Sequence, residues 1–223
     1  MGSIDTFDEK RVIYCIPGLG QDHRVFEGLK IEHAELRFLD WIEAKEDEDI
    51  PGYAKRLAEE IEIVPNLYLL GVSLGGIMSI EMAKHLPIKK LILISTVKSR
   101  SELPPSFEWM SKVPVKSNSI PRFLIEAQVL LKPFYGKANQ SGIALFESML
   151  RSASLDFIRW AWNRIPEWKF KGEPGAPFIH LHGTADLVFP IKHIDQAITL
   201  KGATHFAIFN DMEKVNQLLG KYL

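Results

Sequence analysis

A serine hydroxyl attacks a carbonyl only when a base takes its proton and a carboxylate holds that base in one tautomer. All three groups occur here within short, turn-like motifs. Ser73 stands in Gly71-Val72-Ser73-Leu74-Gly75, Asp186 in His182-Gly183-Thr184-Ala185-Asp186, and His205 in Gly202-Ala203-Thr204-His205. Such a set points to acyl transfer, with Ser73 as nucleophile, His205 as base and Asp186 orienting the imidazole. The oxyanion formed on attack needs two donors. The backbone N–H of Leu74, next after the serine, would be one, and the N–H of Leu19, in Pro17-Gly18-Leu19-Gly20, the other. Gly18 and Gly20 let that loop approach a substrate closely.

These residues need elements to hold them. The apolar run Leu67 to Leu70 predicts a buried strand, and Ile77, Ile80, Met82 and Ala83 predict a helix ending at His85-Leu86-Pro87. Strand, G-x-S-x-G, helix is the setting of a nucleophile elbow, in which a sharp turn lifts the serine above the sheet. Gly71 and Gly75 leave room for neighbouring backbone there. Further strands are expected over 11–16, 34–41, 90–96, 178–182 and 196–200. Helices are expected over 23–29, along Tyr53, Leu57, Ala58, Ile61 and Val64, and over 211–223, the last capped by Asn210 or Asp211. Apolar strands alternating with helices indicate a parallel sheet covered on both faces.

Open parallel sheets place their chemistry beyond the carboxyl ends of the strands, so only polar residues just after a strand qualify. Asp186 follows the fifth strand and His205 the sixth, while the fourth-strand tip, Ser95-Thr96-Val97-Lys98, carries no acid. The order Ser, Asp, His is the one this scaffold uses. Taken singly, Asp186 could cap a short helix near Ile191 and His205 could be a solvated loop residue; their joint placement favours the triad. His180, His182 and Asp186 loosely suggest metal ligands, but no second ligand cluster accompanies them, so no metal and no cofactor is expected. His182 is expected to pack beneath the site, and His33, His85 and His193 to lie on the surface. Asp22-His23-Arg24 could line the entrance or merely begin a helix.

Residues 98–175 interrupt the strand-helix rhythm. Helices are expected there over about 106–112, 121–131, 141–150 and 154–165, among seven prolines and four of the five tryptophans. The segment carries twelve Lys/Arg against seven Asp/Glu, whereas the whole chain has a net charge of −1. We read it as a lid subdomain inserted into a core of residues 1–97 and 176–223. Its aromatics and cations suggest an apolar pocket with a cationic surround, suited to a small acyl group with an anionic end, or simply a lid with its own core.

The near-neutral charge argues against nucleic acid as a partner. No stretch reaches the ~18 apolar residues of a membrane span. The single cysteine, Cys15, sits in an apolar run and excludes an intrachain disulfide. With a polar, acidic N-terminus, the expectation is a cytoplasmic protein acting on a small molecule, its oligomeric state open.

Together, Pro17-Gly-Leu-Gly20, Gly71-Val-Ser-Leu-Gly75, His182-Gly-Thr-Ala-Asp186 and Gly202-Ala-Thr-His205 resemble the α/β-hydrolase superfamily over about residues 11–97 and 176–223. The resemblance implies a three-layer α/β sandwich with a mostly parallel sheet, a helical lid at 98–175, and Ser73, Asp186 and His205 as nucleophile, acid and base. Two departures stand out. The leading antiparallel hairpin is missing, so the sheet should have roughly six strands, and Pro17 replaces the usual histidine before the loop glycine. The function expected is a serine hydrolase cleaving a carboxylic ester or thioester of a small acyl substrate. Carbon–carbon bond hydrolysis or lyase chemistry on the same scaffold, or a non-catalytic ligand-binding role, are the alternatives.

Overall fold

A computed structural model describes residues 10–110 and 140–223. Among these residues six strands form one sheet in the order β2-β1-β3-β4-β5-β6, and every pairing is parallel. They are β1 (Arg11–Ile16), β2 (Ala34–Phe38), β3 (Leu67–Val72), β4 (Lys90–Ile94), β5 (Phe178–Gly183) and β6 (Ile198–Leu200). The chain steps to one side of β1 for β2 and to the other for β3. That reversal opens a crevice beyond the carboxyl ends of β1 and β3, where this class of sheet binds ligands. Both the glycine loop and the elbow emerge into it.

The strands are apolar throughout because both faces are covered. Val12, Tyr14, Ile16, Leu67, Leu69, Leu91 and Leu93 face one core, and Ile13, Cys15, Leu70, Val72, Ile92 and Ile94 the other. On the first face pack α1 (Ile50–Ala58), through Ile50, Tyr53 and Leu57, and α2 (Leu74–Met82). The second face is closed by Phe26 and by Val215 and Leu219 of the C-terminal helix. Burial pushes the Cys15 thiol up, so it stays protonated.

Several boundaries differ from the sequence expectation. The helix bearing Tyr53 and Leu57 starts at Ile50, where Asp49 accepts from the Gly52 N–H at 2.8 Å, and ends at Ala58. Ile61 is still buried, but beyond the helix end, and Val64, which precedes Pro65, is disfavoured from helical backbone. β2 stops at Phe38, the last residue opposite Cys15, and β6 begins only at Ile198, since Gln196 takes a left-handed φ of 49°. Residues 23–26 form a single 3-10 turn. Asp211 holds the cap position of the last helix without capping it; its carboxylate accepts from Lys214 Nζ at 2.5 Å.

Between β4 and β5 the described residues hold no strand; they form α3 (Ser106–Met110), α4 (Gln140–Ser152) and α5 (Leu155–Arg164), with 3-10 turns at Arg100–Glu102 and Ile165–Glu167. The helix expected over 121–131 lies outside the described residues. Two tryptophans tie this segment to the rest of the chain. Trp168 Nε1 donates to Glu81 of α2 at 2.8 Å, and Trp160 Nε1 to the Glu48 carbonyl at 2.8 Å. Chain order then continues through α6 (Ala207–Asn210) to α7 (Met212–Tyr222). Among the described residues no helix is long and apolar enough to cross a membrane.

Candidate active site

Ser73 sits between β3 and α2 with φ 53° and ψ −118°, a conformation that L-residues adopt only when their surroundings enforce it. The enforcement is visible. Its N–H donates to Ile94 O at 3.0 Å, and its carbonyl accepts from Gly76 N–H at 2.9 Å and Thr96 Oγ1 at 2.7 Å. Thr96 belongs to the fourth-strand tip that carries no acid, and its hydroxyl braces the elbow rather than taking part in the triad.

The elbow glycines are sterically required. A Cβ on Gly75 would lie 2.1 Å from Ile16 O and 2.5 Å from Pro17 O; one on Gly71 would lie 2.3 Å from Gly75 O. All are backbone atoms and cannot step aside. Gly75→Ala is therefore expected to lower the unfolding free energy in urea by about 3 kcal/mol. Gly220→Ala, in α7 with nothing within 4 Å, is expected to raise it by about 0.5–1 kcal/mol. Gly20 is constrained by its left-handed φ of 71°, whereas a Cβ on Gly18 would meet only the end of the Gln21 side chain.

His205, between β6 and α6, places Nε2 2.9 Å from Ser73 Oγ and Nδ1 2.9 Å from Asp186 Oδ2. An ionised carboxylate can only accept, so Nδ1 carries the proton and Nε2 is free to accept from the serine hydroxyl. Asp186 has no exposed side-chain surface, whereas His205 keeps a small opening. Asp186 does not cap the helix near Ile191. Its Oδ1 accepts from Val188 N–H and Phe189 N–H, both at 2.8 Å, which aims Oδ2 at His205. Burial by itself raises the Asp186 pKa, but the facing His205 and the Phe189 N–H outweigh it and hold the carboxyl below its ordinary range.

His182 packs beneath this pair, fully buried. Its Nε2–H donates to Phe189 O at 2.8 Å and lies 3.4 Å from Asp186 Oδ2, and Nδ1 approaches His180 Nε2 at 3.4 Å. Burial pushes the pKa of both histidines down, so both stay neutral. Among the described residues no group of three His, Cys, Asp or Glu is arranged to hold a metal ion. His33 and His85 are exposed and His193 half-buried.

Leu19 and Leu74 both border the cavity that contains Ser73 and His205. Among the described residues neither backbone N–H has an acceptor, and that of Leu74 is an orphan donor of the first turn of α2. The Gly18 N–H, by contrast, is taken by Gln21 Oε1 at 2.8 Å. Asp22, His23 and Arg24 do not line this cavity. Asp22 caps the 3-10 turn and pairs with Arg24, whose Nη1 donates to Ser148 Oγ of α4 at 3.0 Å.

The cavity measures about 460 Å³ among the described residues. Its wall is apolar, with Phe107, Phe146, Phe189, Phe206 and Trp162 the aromatic part. No lysine or arginine lines it among the described residues. Lys112, Lys116, Arg122, Lys132 and Lys137 lie outside those residues. Trp160 and Trp168 bond to Glu48 and Glu81 instead, and a larger groove of about 780 Å³ between residues 41–47 and α5 holds none of Ser73, Asp186 and His205.

Comparison with known proteins gives the following. The model of the alpha/beta hydrolase family matches residues 7–218. No curated protein matches the sequence. Among solved structures, a thermophilic esterase from Thermogutta terrifontis is 18% identical, with 95% of this chain and 89% of that chain covered at a TM-score of 0.73. A lipase-esterase related protein from Clostridium acetobutylicum is 17% identical, covering 97% and 96% at 0.66. The RedJ thioesterase of the prodiginine pathway in Streptomyces coelicolor is 13% identical, covering 97% and 87% at 0.65. At these identities the likeness is one of fold.

Proposed function

The chain belongs to the alpha/beta hydrolase family, and from that premise we propose that it is a serine hydrolase cleaving a carboxylic ester or thioester. The observation that carries this reading is the unbroken relay from Ser73 Oγ through His205 to Asp186, at 2.9 Å for each link. His205 Nε2 takes the serine proton as Oγ attacks the carbonyl carbon. The N–H groups of Leu19 and Leu74 hold the resulting oxyanion, and Asp186 stabilises the imidazolium. The imidazolium then gives its proton to the departing alkoxide or thiolate, leaving an acyl-serine. Water, deprotonated by His205, cleaves that ester and restores the hydroxyl.

The helices between β4 and β5 act in this reading as a lid over the acyl pocket. The apolar wall supports an uncharged acyl group, and esterase and thioesterase names among the structural neighbours are consistent with either leaving group. A fluorophosphonate probe should label the protein stoichiometrically, with peptide mapping placing the adduct on Ser73. Labelling elsewhere, or undiminished labelling of Ser73→Ala, would sink the proposal. Parallel assays with p-nitrophenyl esters and acyl thioesters of matched chain length decide which bond is preferred.

A further inference from the structure

Gln21 is buried in the wall of the catalytic cavity, yet its amide is only half used. Oε1 accepts from the Gly18 N–H at 2.8 Å, while the Gln21 N–H donates to Gly18 O at 3.1 Å, so side chain and backbone lock each other. Because an N–H must meet an acceptor, this bond also fixes which end of the amide is oxygen and turns the NH₂ away from Gly18. Among the described residues nothing accepts from Nε2. An unbranched hydrocarbon chain filling the cavity would strip water from that donor and leave it unpaired.

We infer that Gln21 is a specificity-determining residue, whose Nε2–H donates to a neutral acceptor oxygen carried within the otherwise apolar acyl group. Ether, keto and hydroxyl oxygens all supply that acceptor. A site that hydrogen-bonds a substrate group discriminates against analogues lacking it more strongly than an apolar pocket discriminates by size. The inference rests on the proposed acyl pocket and names the kind of acyl group it selects. It differs from a purely structural role, in which Gln21 would only hold the loop that carries Leu19.

The test measures binding by calorimetry in the Ser73→Ala background, so that turnover plays no part. The probes are methyl ketones of equal length, one all-carbon and the others with an ether oxygen replacing each successive methylene. At least one ether should bind about tenfold tighter than the all-carbon ketone when Gln21 is present. That preference should disappear in Gln21→Met. It should also disappear in Gln21→Glu at pH 8, which keeps an acceptor for Gly18 N–H but loses the donor. Thermal unfolding of each variant verifies that it is folded. A preference that survives in Gln21→Glu, equal affinities in the chain retaining Gln21, or no binding of any ketone overturns the inference. Failure of the serine-hydrolase proposal looks different: no ester turns over in the chain with Ser73, whatever the ketone affinities.

Discussion

Ser73→Ala should lower kcat for an activated ester by about five to six orders of magnitude, measured against the same preparation's thermal midpoint. The fold should not suffer, because among the described residues the serine side chain bonds only to His205, while the backbone bonds to Ile94, Gly76 and Thr96 that hold the elbow are untouched. The residual rate should match that of His205→Ala and of the double variant. Nucleophile and base act as one unit, and removing either removes the function of both. Retention of a tenth of the activity, or losses that multiply in the double variant, would contradict the mechanism.

For Asp186→Asn the expected loss is about four orders of magnitude in kcat. Asparagine keeps an oxygen for the Val188 and Phe189 N–H groups, so the loop should survive. It then presents an NH₂ to His205 Nδ1, favouring the tautomer whose Nε2 carries the proton and cannot accept from Ser73. A stability signature accompanies the kinetic one. The Asp186 carboxyl is held below its ordinary range in the folded chain, so its ionisation stabilises the fold above the unfolded value of about 3.9, and that contribution is lost as pH falls through the folded value. Urea unfolding should therefore show a gap between the parent and Asp186→Asn at pH 7 that narrows below about pH 4. A gap of equal size at both ends would mean that no ionised carboxylate faces His205.

The parallel fold was legible because its signals are local. Leu69 and Leu70 sit on opposite faces, yet both are apolar, and that pattern alone marks β3 as buried on two sides. The sharpness of the elbow was legible in the same way, since glycines at 71 and 75 have few other uses beside a serine. Contacts made at a distance were not legible. Thr96 bonds the Ser73 carbonyl across 23 positions, and its type is unremarkable in sequence. Lys98 and Glu102, for which the sequence carries no pairing signal, are a buried pair, with Lys98 also donating to Asp195 O at 2.6 Å. Charge summed over residues 98–175 does not tell which faces the cations occupy, and five of the twelve lie outside the described residues.

By itself, then, the chain determined a two-sided parallel sheet and which strand tips present Ser73, Asp186 and His205. Hydrophobic period, turn glycines and strand order act over a few residues and can be read in one dimension. Only the tertiary structure decided that these three side chains meet at 2.9 Å, that the Gln21 amide folds back onto the Gly18 N–H, and that Trp160 and Trp168 bond to Glu48 and Glu81 instead of lining the cavity. Those outcomes depend on how distant segments pack against each other, and close packing selects among arrangements that the local signals leave equivalent.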